Sequence, residues 1–161
     1  MGADLGSIDL GAGLLMRPAV GADDEFLFGV FVDAQPPVMQ QLPEMINRMQ
    51  FRAQRQAYTE QYADQDYRRW IIEEQGIRVG RYLELRAADR IHMVDLSLLS
   101  SCRGRGLGSE IFRFLMHKTR DLGLSLELSV LRTNRAVELY RRLGFEVIAE
   151  NETHLGMEWR P

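Results

Sequence analysis

Six consecutive residues in the second half of the chain decide how the fold is interpreted: Arg103-Gly104-Arg105-Gly106-Leu107-Gly108. They follow an apolar run that ends at Leu98, and they precede a helix that the apolar period predicts to begin near Ser109. Glycines let the backbone approach a ligand with no Cβ in the way, and a helix N-terminus presents N–H groups and positive potential. With Arg103 and Arg105 adding charge, the loop predicts an anion site that suits a pyrophosphate.

Two familiar kinds of Gly-rich phosphate-binding loop differ from this one in their residues. A Walker loop requires Gly-Lys-Ser/Thr, which is absent, and the dinucleotide fingerprint requires a third glycine where this chain has Ser109. A plain turn built from glycines explains the loop, taken alone, as well as a phosphate site does. The loop by itself therefore leaves the function open.

A second motif changes that balance. The pattern Arg103-x-x-Gly106-x-Gly108 after a strand resembles motif A of the GNAT N-acetyltransferase superfamily, and Met16-Arg17-Pro18-Ala19 resembles the first strand of these proteins. A downstream set resembles motif B, at the distance from motif A that the family shows: Leu128, Val130, Asn134, Ala136, Leu139, Tyr140, Gly144 and Phe145. The resemblance covers most of residues 14–159 and is specific over about 91–145.

The resemblance implies a GNAT fold of the α/β (α+β) class. Its features are a mixed, mostly antiparallel central sheet of six or seven strands, helices on both faces and a splayed pair of parallel strands. The implied domain spans residues 13–161, after a flexible tail over 1–12 that is rich in Gly, Ala and Asp. The implied activity is that of an acyltransferase with acetyl-CoA as co-substrate, in which the Gly-rich loop wraps the coenzyme A pyrophosphate.

The implied coenzyme A contacts come from the backbone and from one amide side chain: Leu98, Leu99, Ser100, Arg103, Gly104, Arg105, Gly106, Leu107, Gly108, Ser109 and Asn134. Many relatives have Pro at position 100 and an aromatic residue at position 102, where this chain has Ser100 and Cys102. We expect both departures to be tolerated because the backbone does the binding. Cys102 has no histidine at a recognisable spacing, so it is interpreted as a packed loop residue and not as a nucleophile.

Tyr140 is the catalytic acid that the resemblance implies. A phenol is protonated at neutral pH, with an ordinary pKa of about 10, and can give a proton to a departing thiolate. The competing interpretation is a core aromatic that shares a helical stripe with Ala136, Val137 and Leu143. Within motif B we favour the catalytic role.

Asp95 is the candidate base because it interrupts the apolar run of residues 91–99. Strict alternation puts it on one strand face with Met93 and Ser97. A buried carboxylate needs a partner or a purpose, and a structural ion pair with Arg81 or Arg86 explains Asp95 equally well. Water is another candidate base, and three further carboxylates stay unranked: Glu84, Glu127 and Glu158.

The remaining elements follow from periodicity and turn residues. Helices are predicted to begin at Asp23, to span residues 43–62 with Ile46 and Met49 on the inner face, and to span 109–122 and 134–143. A flank of the second helix, with Phe51 and Tyr58, could line an acceptor site, although packing is the commoner role of such aromatics. Strands are predicted over 14–19, 67–74, 77–86, 90–99, 124–131, 145–149 and 153–159.

Composition limits the partners. A net charge of −3 gives no overall attraction to nucleic acid, the apolar segment over 8–20 is interrupted by charge and proline, and three scattered histidines predict no metal site. A single cysteine, Cys102, excludes an internal disulfide and fits the cytoplasm. The terminal strands offer an edge through which a homodimer could form.

The sequence thus predicts acetyl transfer from acetyl-CoA to a primary amine of a small molecule or peptide, by direct attack on the thioester. The acceptor is not readable from it. The first alternative is a non-catalytic acyl-CoA-binding or regulatory module with the same fold, against which Tyr140 and Asn134 count. A nucleotide-binding regulatory domain is disfavoured because the loop lacks a phosphate-binding lysine.

Overall fold

The structure is a computed structural model that describes residues 5–161. In this range eight strands form one sheet in the order β1-β2-β3-β4-β5-β6-β8-β7. The strands are β1 (Ile8–Gly11), β2 (Leu14–Pro18), β3 (Asp66–Glu74), β4 (Ile77–Arg86), β5 (Arg90–Leu98), β6 (Ser125–Leu131), β7 (Glu146–Glu150) and β8 (His154–Trp159). The helices are α1 (Asp24–Asp33), α2 (Pro37–Gln40), α3 (Glu44–Gln61), α4 (Leu107–Asp121) and α5 (Ala136–Arg142). None of these helices is both long and apolar enough to cross a membrane.

All neighbouring strands are antiparallel except β5 and β6, which are parallel. The predicted mixed sheet with one parallel pair is therefore confirmed. The sheet has one strand more than the six or seven expected, and the extra strand is β1. Its residues were assigned to a flexible tail, yet Ile8 pairs with Met16 of β2, and Ile8 and Leu10 pack against the main core. The rest of that segment, residues 1–4, lies outside the described range.

The sheet carries a core on each face. On one face α1 and α3 cover a small cluster formed by Leu27, Phe31, Phe51 and Ile71. On the other face α4 and α5 cover the larger cluster, to which α4 contributes Leu107, Ile111, Phe112 and Leu115. Side chains alternate between the two faces along each strand, so the cores separate the sheet into an α1/α3 side and an α4/α5 side.

The inner face of α3 differs from the prediction. Met49 is 60% exposed, whereas Asn47 and Phe51 are buried. The rings of Phe28 and Phe31 of α1 lie 5.7 and 5.5 Å from that of Phe51, and this aromatic contact sets the rotation of the helix. The flank that the sequence left open between packing and an acceptor site therefore turns toward the sheet.

Candidate active site

A gap opens between the parallel strands β5 and β6. Their pairing begins at Arg90 with Ser125 and ends at Met93 with Leu128, although β5 continues to Leu98. Beyond Met93 the two strands diverge around a cavity of about 240 Å³. Its lining residues come from both strands, from α5 and its preceding loop, and from β8: Met93, Val94, Asp95, Leu96, Leu128, Ser129, Val130, Leu131, Asn134, Tyr140 and His154.

A β-bulge at Val94 sets which side chains face each way. Met93 pairs with Glu84 of β4, and Asp95 pairs with Leu83, so Val94 has no partner of its own. Because Glu84 and Leu83 are consecutive, Met93 and Asp95 lie on opposite sides of the sheet. The prediction that they share a face is wrong, since strict alternation does not hold across a bulge. Asp95 faces the α1/α3 side.

A short turn over Ser100–Cys102 precedes the Gly-rich loop, which leads into α4 at Leu107. Gly104 and Gly106 have φ values of 75° and 80°, which glycine adopts without strain. Within residues 5–161, no acceptor is hydrogen-bonded to the backbone N–H groups of residues 104–109. Unpaired N–H groups at the start of a 15-residue helix fit an anionic group such as a pyrophosphate.

The loop arginines are held by protein groups. Arg103 donates from Nε to the Leu98 carbonyl at 3.0 Å, and Arg105 pairs with Glu74 at 2.9 Å. Both guanidinium groups are about half exposed. They retain donors that can reach an anion at the loop.

The residues just before the loop use backbone groups in hydrogen bonds within the protein. The Leu99 N–H donates to the Val79 carbonyl at 2.9 Å, and Leu98 packs beside Gly80 of β4. A Cβ at Gly80 would clash with the backbone carbonyl oxygen of Ser97 and would lie 2.8 Å from Leu98 Cδ2, so only glycine permits this approach. Ser100 is bonded to Asp33 of α1 through both its N–H and its hydroxyl. Of the predicted coenzyme A contacts, Leu98, Leu99 and Ser100 thus already have backbone groups engaged by the protein.

Asn134 lies where β6 leads into α5. Its Oδ1 accepts a hydrogen bond from the Ala136 N–H at 2.9 Å, which stabilises the first turn of the helix. The same side chain lines the gap. Asn134 therefore combines a structural role with the position that the sequence predicts for a cofactor contact.

Tyr140 projects from α5 into the gap and is half-buried. Its ring packs 5.2 Å from that of Phe112 and 5.7 Å from that of Phe145, which orients the side chain. Burial raises the pKa of the Tyr140 phenol, and the negative charge of Asp95 raises it further. The group is therefore a protonated hydroxyl at neutral pH, placed beside the opening between the strands.

Asp95 forms an ion pair with Arg81, with Oδ2 lying 2.7 Å from Arg81 Nε. It also accepts a hydrogen bond from the Ser97 hydroxyl at 2.9 Å. Of the two interpretations left open by the sequence, the ion pair with Arg81 is the one that the geometry displays, while Arg86 contacts Glu84 at 3.5 Å instead. The other candidate bases also have cationic neighbours: Glu84 has Arg86, Glu127 has Arg90, and Glu158 has Arg160.

Sequence reasoning missed three residues at this site. Asp33 reaches the loop from 67 positions away in the chain, and no local pattern indicates it. His154 lines the gap because β8 pairs with β6, so that His154 lies opposite Leu131. Gly80 was detectable as a lone glycine inside a strand, which often marks a close backbone approach.

Residues 38–161 match a protein family described as "Acetyltransferase (GNAT) domain". The chain belongs to the GNAT acetyltransferases. The match includes the Gly-rich loop, the gap between β5 and β6, and Tyr140. A search of curated proteins by sequence finds no match.

Solved GNAT structures share the fold at low sequence identity. The PaiA N-acetyltransferase of Thermoplasma acidophilum, in complex with coenzyme A, has a TM-score of 0.69 and 15% identity, covering 92% of this chain and 99% of that one. An acetyltransferase of Salmonella typhimurium that modifies the N-terminal serine of ribosomal protein L7/L12 has a TM-score of 0.68 and 14% identity, covering 96% and 99%. Naa50 of Arabidopsis thaliana, with a bisubstrate analogue, has a TM-score of 0.62 and 14% identity, covering 92% and 99%.

Proposed function

We propose that this GNAT protein transfers acetyl from acetyl-CoA to a primary amine of a small molecule or peptide, and that residues 13–161 together with β1 form its single catalytic domain. One observation carries the proposal: the backbone N–H groups of residues 104–109 have no acceptor among residues 5–161, and they lie at the start of the helix that follows β5, the strand lining the gap. The anion site suits the pyrophosphate end of an acyl-CoA molecule, and the opening between the strands suits its thioester end.

Acetyl-CoA is the co-substrate in this proposal, and its pyrophosphate fits the loop. The N–H groups of residues 104–109 bind the phosphate oxygens, helped by the α4 dipole and by Arg103 and Arg105. Asn134 binds the pantetheine arm through its Nδ2, because its Oδ1 is used within α5. The thioester then lies in the gap near Tyr140.

The reaction is a direct acyl transfer. An alkyl ammonium, with an ordinary pKa of about 10, must lose a proton before its nitrogen can attack the thioester carbonyl. The C–N bond forms as the C–S bond breaks, and the coenzyme A sulfur leaves as a thiolate. Tyr140 donates its phenolic proton to that sulfur. The acylated nitrogen releases its extra proton to solvent and becomes the neutral amide, and the phenolate regains a proton from solvent. The raised pKa of Tyr140 keeps the donor loaded at neutral pH.

Asp95 receives the proton of the acceptor ammonium through a water molecule in the proposed mechanism. Its Oδ2 contacts Arg81, whereas Oδ1 has only the Ser97 hydroxyl as a partner within residues 5–161, at 3.1 Å. Oδ1 is therefore the oxygen available for proton transfer. The Arg81 contact fixes the orientation of the carboxylate at the edge of the gap.

Two further expectations accompany this function. The chain would act in the cytoplasm, a reducing compartment that suits its lone Cys102. The edge strand β7, with Val147 and Ile148 43% and 54% exposed, could pair with the β7 strand of a second copy. Size-exclusion chromatography with light scattering tests the dimer.

The experiment that tests the function is a coenzyme A thiol-release assay with acetyl-CoA and a panel of amines, polyamines, amino acids and short peptides. Peptides belong in the panel because the Salmonella and Arabidopsis structures concern peptide N-termini. Amine-dependent release supports the proposal. Binding of acetyl-CoA without release for any amine would favour the non-catalytic module, and stabilisation by ATP or NAD but not by acetyl-CoA would favour the nucleotide-binding domain.

A further inference from the structure

We propose that a second pocket, between α3 and the sheet, binds a carboxylate of the acceptor, so that the preferred acceptors are amines that carry a carboxylate. This inference rests on the proposed acetyl transfer and narrows its substrate class. We call the site the arginine pocket and define it by six of its lining residues: Phe51, Arg55, Tyr58, Tyr67, Arg69 and Arg81.

The arginine pocket is small, and the three of its defining residues that are not arginines are aromatic. Its volume is about 30 Å³, which is room for about two water molecules and thus for a group as small as a carboxylate. Phe51 and Tyr58 come from α3, and Tyr67 from β3. Burial raises the pKa of Tyr67 to about 12, so its phenol is a neutral hydrogen-bond donor at this wall. Apolar walls strengthen any ion pair formed inside.

The charge of the pocket is positive. Its lining includes three arginines and no aspartate or glutamate. Arg55 pairs with Asp24 at 2.9 Å, and Arg81 pairs with Asp95 at 2.7 Å. Arg69 has no ion pair and no side-chain hydrogen bond within residues 5–161. One guanidinium charge is thus left for a ligand.

The strand register points Arg69 into this pocket. Arg69 pairs with Leu83 of β4, and it shares its face with Tyr67 and with the buried Ile71 of the α1/α3 core. The neighbouring Arg68 lies on the other face and pairs with Asp66 at 2.6 Å. A half-buried guanidinium without a partner favours an anion, and its planar donors match a carboxylate with two parallel hydrogen bonds.

The arginine pocket adjoins the gap through one ion pair. Arg81 lines the pocket, and its partner Asp95 lines the gap. Tyr58, also in the pocket lining, is close enough to Asp95 for that charge to contribute to its raised pKa, after the larger effect of burial. We infer that an amine held near Asp95 directs its substituent toward Arg69, as the amine and carboxylate of one amino acid would be placed.

The test compares amines that differ only in this charge. Coenzyme A release is assayed with two matched pairs of acceptors: L-phenylalanine with L-phenylalaninamide, and L-leucine with L-leucinamide. The proteins compared are the full-length wild type, Arg69→Gln, Arg69→Lys and the control Arg68→Gln. Binding of the same four compounds to each protein with coenzyme A present is measured by calorimetry. Thermal melts confirm that every variant is folded.

We expect the carboxylates to be preferred over their amides by about tenfold to a hundredfold in kcat/KM, as for a hydrogen-bonded charge. Arg69→Gln should remove this preference through KM, Arg69→Lys should keep part of it, and Arg68→Gln should change nothing. Equal use of acids and amides by the wild type, or equal losses for both in Arg69→Gln, would overturn the inference while the proposed function stood. If no amine releases coenzyme A, the proposed function fails, and calorimetry then decides for or against the carboxylate site.

Discussion

The carboxylate of Asp33, the last residue of α1, accepts hydrogen bonds from both the backbone N–H and the hydroxyl of Ser100, at 2.6 and 2.7 Å. The same carboxylate lies 3.6 Å from Arg103. One side chain therefore ties α1, which lies beside the arginine pocket, to the loop proposed to bind the pyrophosphate.

Removing that contact should loosen the loop. We expect Asp33→Ala to speed hydrogen exchange at the Ser100 amide and to raise the Kd for coenzyme A about fivefold, because charged hydrogen bonds that order the site are lost. Asp33→Asn keeps one acceptor and should have a smaller effect. Calorimetry measures the Kd. Tighter binding by Asp33→Ala would show instead that the negative charge repels the phosphates more than it orders the loop.

Gly106 gives a test of the loop conformation. Gly106→Ala should cost about 1 kcal/mol of stability, because φ is 80° there, and should also raise the Kd for coenzyme A. Gly123→Ala is the matched control, since Gly123 ends α4 with φ at 67°, far along the chain from the loop. We expect it to lose similar stability without losing affinity. Equal affinity losses in both variants would argue that the loop has no special part in binding.

Tyr140→Phe should lower kcat about a hundredfold, as expected for loss of a general acid, with no change in the Kd for coenzyme A. Since the folded-state pKa of Tyr140 is raised, the phenol stays protonated as pH rises, and wild-type kcat should show no alkaline decline below about pH 10. Initial-rate assays from pH 6 to 10 measure kcat for the variant and the pH dependence of kcat for the wild type. An unchanged kcat in the variant would remove the proposed proton donor.

The close approach of β4 and β5 predicts a large effect for a single methyl group. Gly80→Ala should destabilise the fold by about 2 kcal/mol, because the new Cβ meets Leu98 and the Ser97 carbonyl. Gly29→Ala, inside α1 with open space around it, should stabilise by about 0.5 kcal/mol. Urea unfolding measures both. If Gly80→Ala left the free energy of unfolding unchanged, the two strands would be able to move apart without loss of stability.

Asp23 links acid stability to a buried ion cluster. Its pKa is held well below the ordinary range by hydrogen bonds from Arg17, the Val20 N–H and Arg78. Because the carboxylate is more acidic in the folded chain, its stabilisation is complete above about pH 4 and is lost as pH falls further. Asp23→Asn should cost about 3 kcal/mol at pH 7, because Arg78 loses its ionic partner and Arg17 keeps only Glu73.

The difference between wild type and Asp23→Asn should shrink as the pH is lowered below 4. Glu25→Gln serves as the control, since the Glu25 and Arg48 pair is exposed and should leave the melting temperature unchanged. Thermal melts across pH 3 to 7 supply the measurement. A constant difference at every pH would contradict the assigned ionisation.

Local patterns predicted most of the fold. The strands β3, β4 and β5 were placed within one residue of their observed ends, because turn residues such as Gly76 and Asp89 separate them and their apolar content is high. The α4 helix was also predicted, since its apolar stripe is regular and Gly123 ends it. Signals of this kind depend on residues close together in the chain.

What the sequence could not supply depends on contacts between distant residues. The rotation of α3 is set by rings of α1 that pack on Phe51, although polar residues surround Phe51 in the chain. The sequence left both Arg81 and Arg86 as ion-pair partners for Asp95. Strand register decides for Arg81. β1 was missed because its four residues include glycine and aspartate, and only the adjacent β2 gives them a partner.

The extra residue at Val94 has a consequence for how related chains are compared. An insertion or deletion of one amino acid in β5 that is not taken up as a bulge exchanges which side chains face the α1/α3 side and which face the α4/α5 side. Had Val94 itself been absent, Met93 and Asp95 would have kept Glu84 and Leu83 as partners in an unbroken ladder. Acceptor preference in such proteins can thus shift through changes in chain length, and an alignment that forces the strands into an ungapped match would equate residues from opposite surfaces.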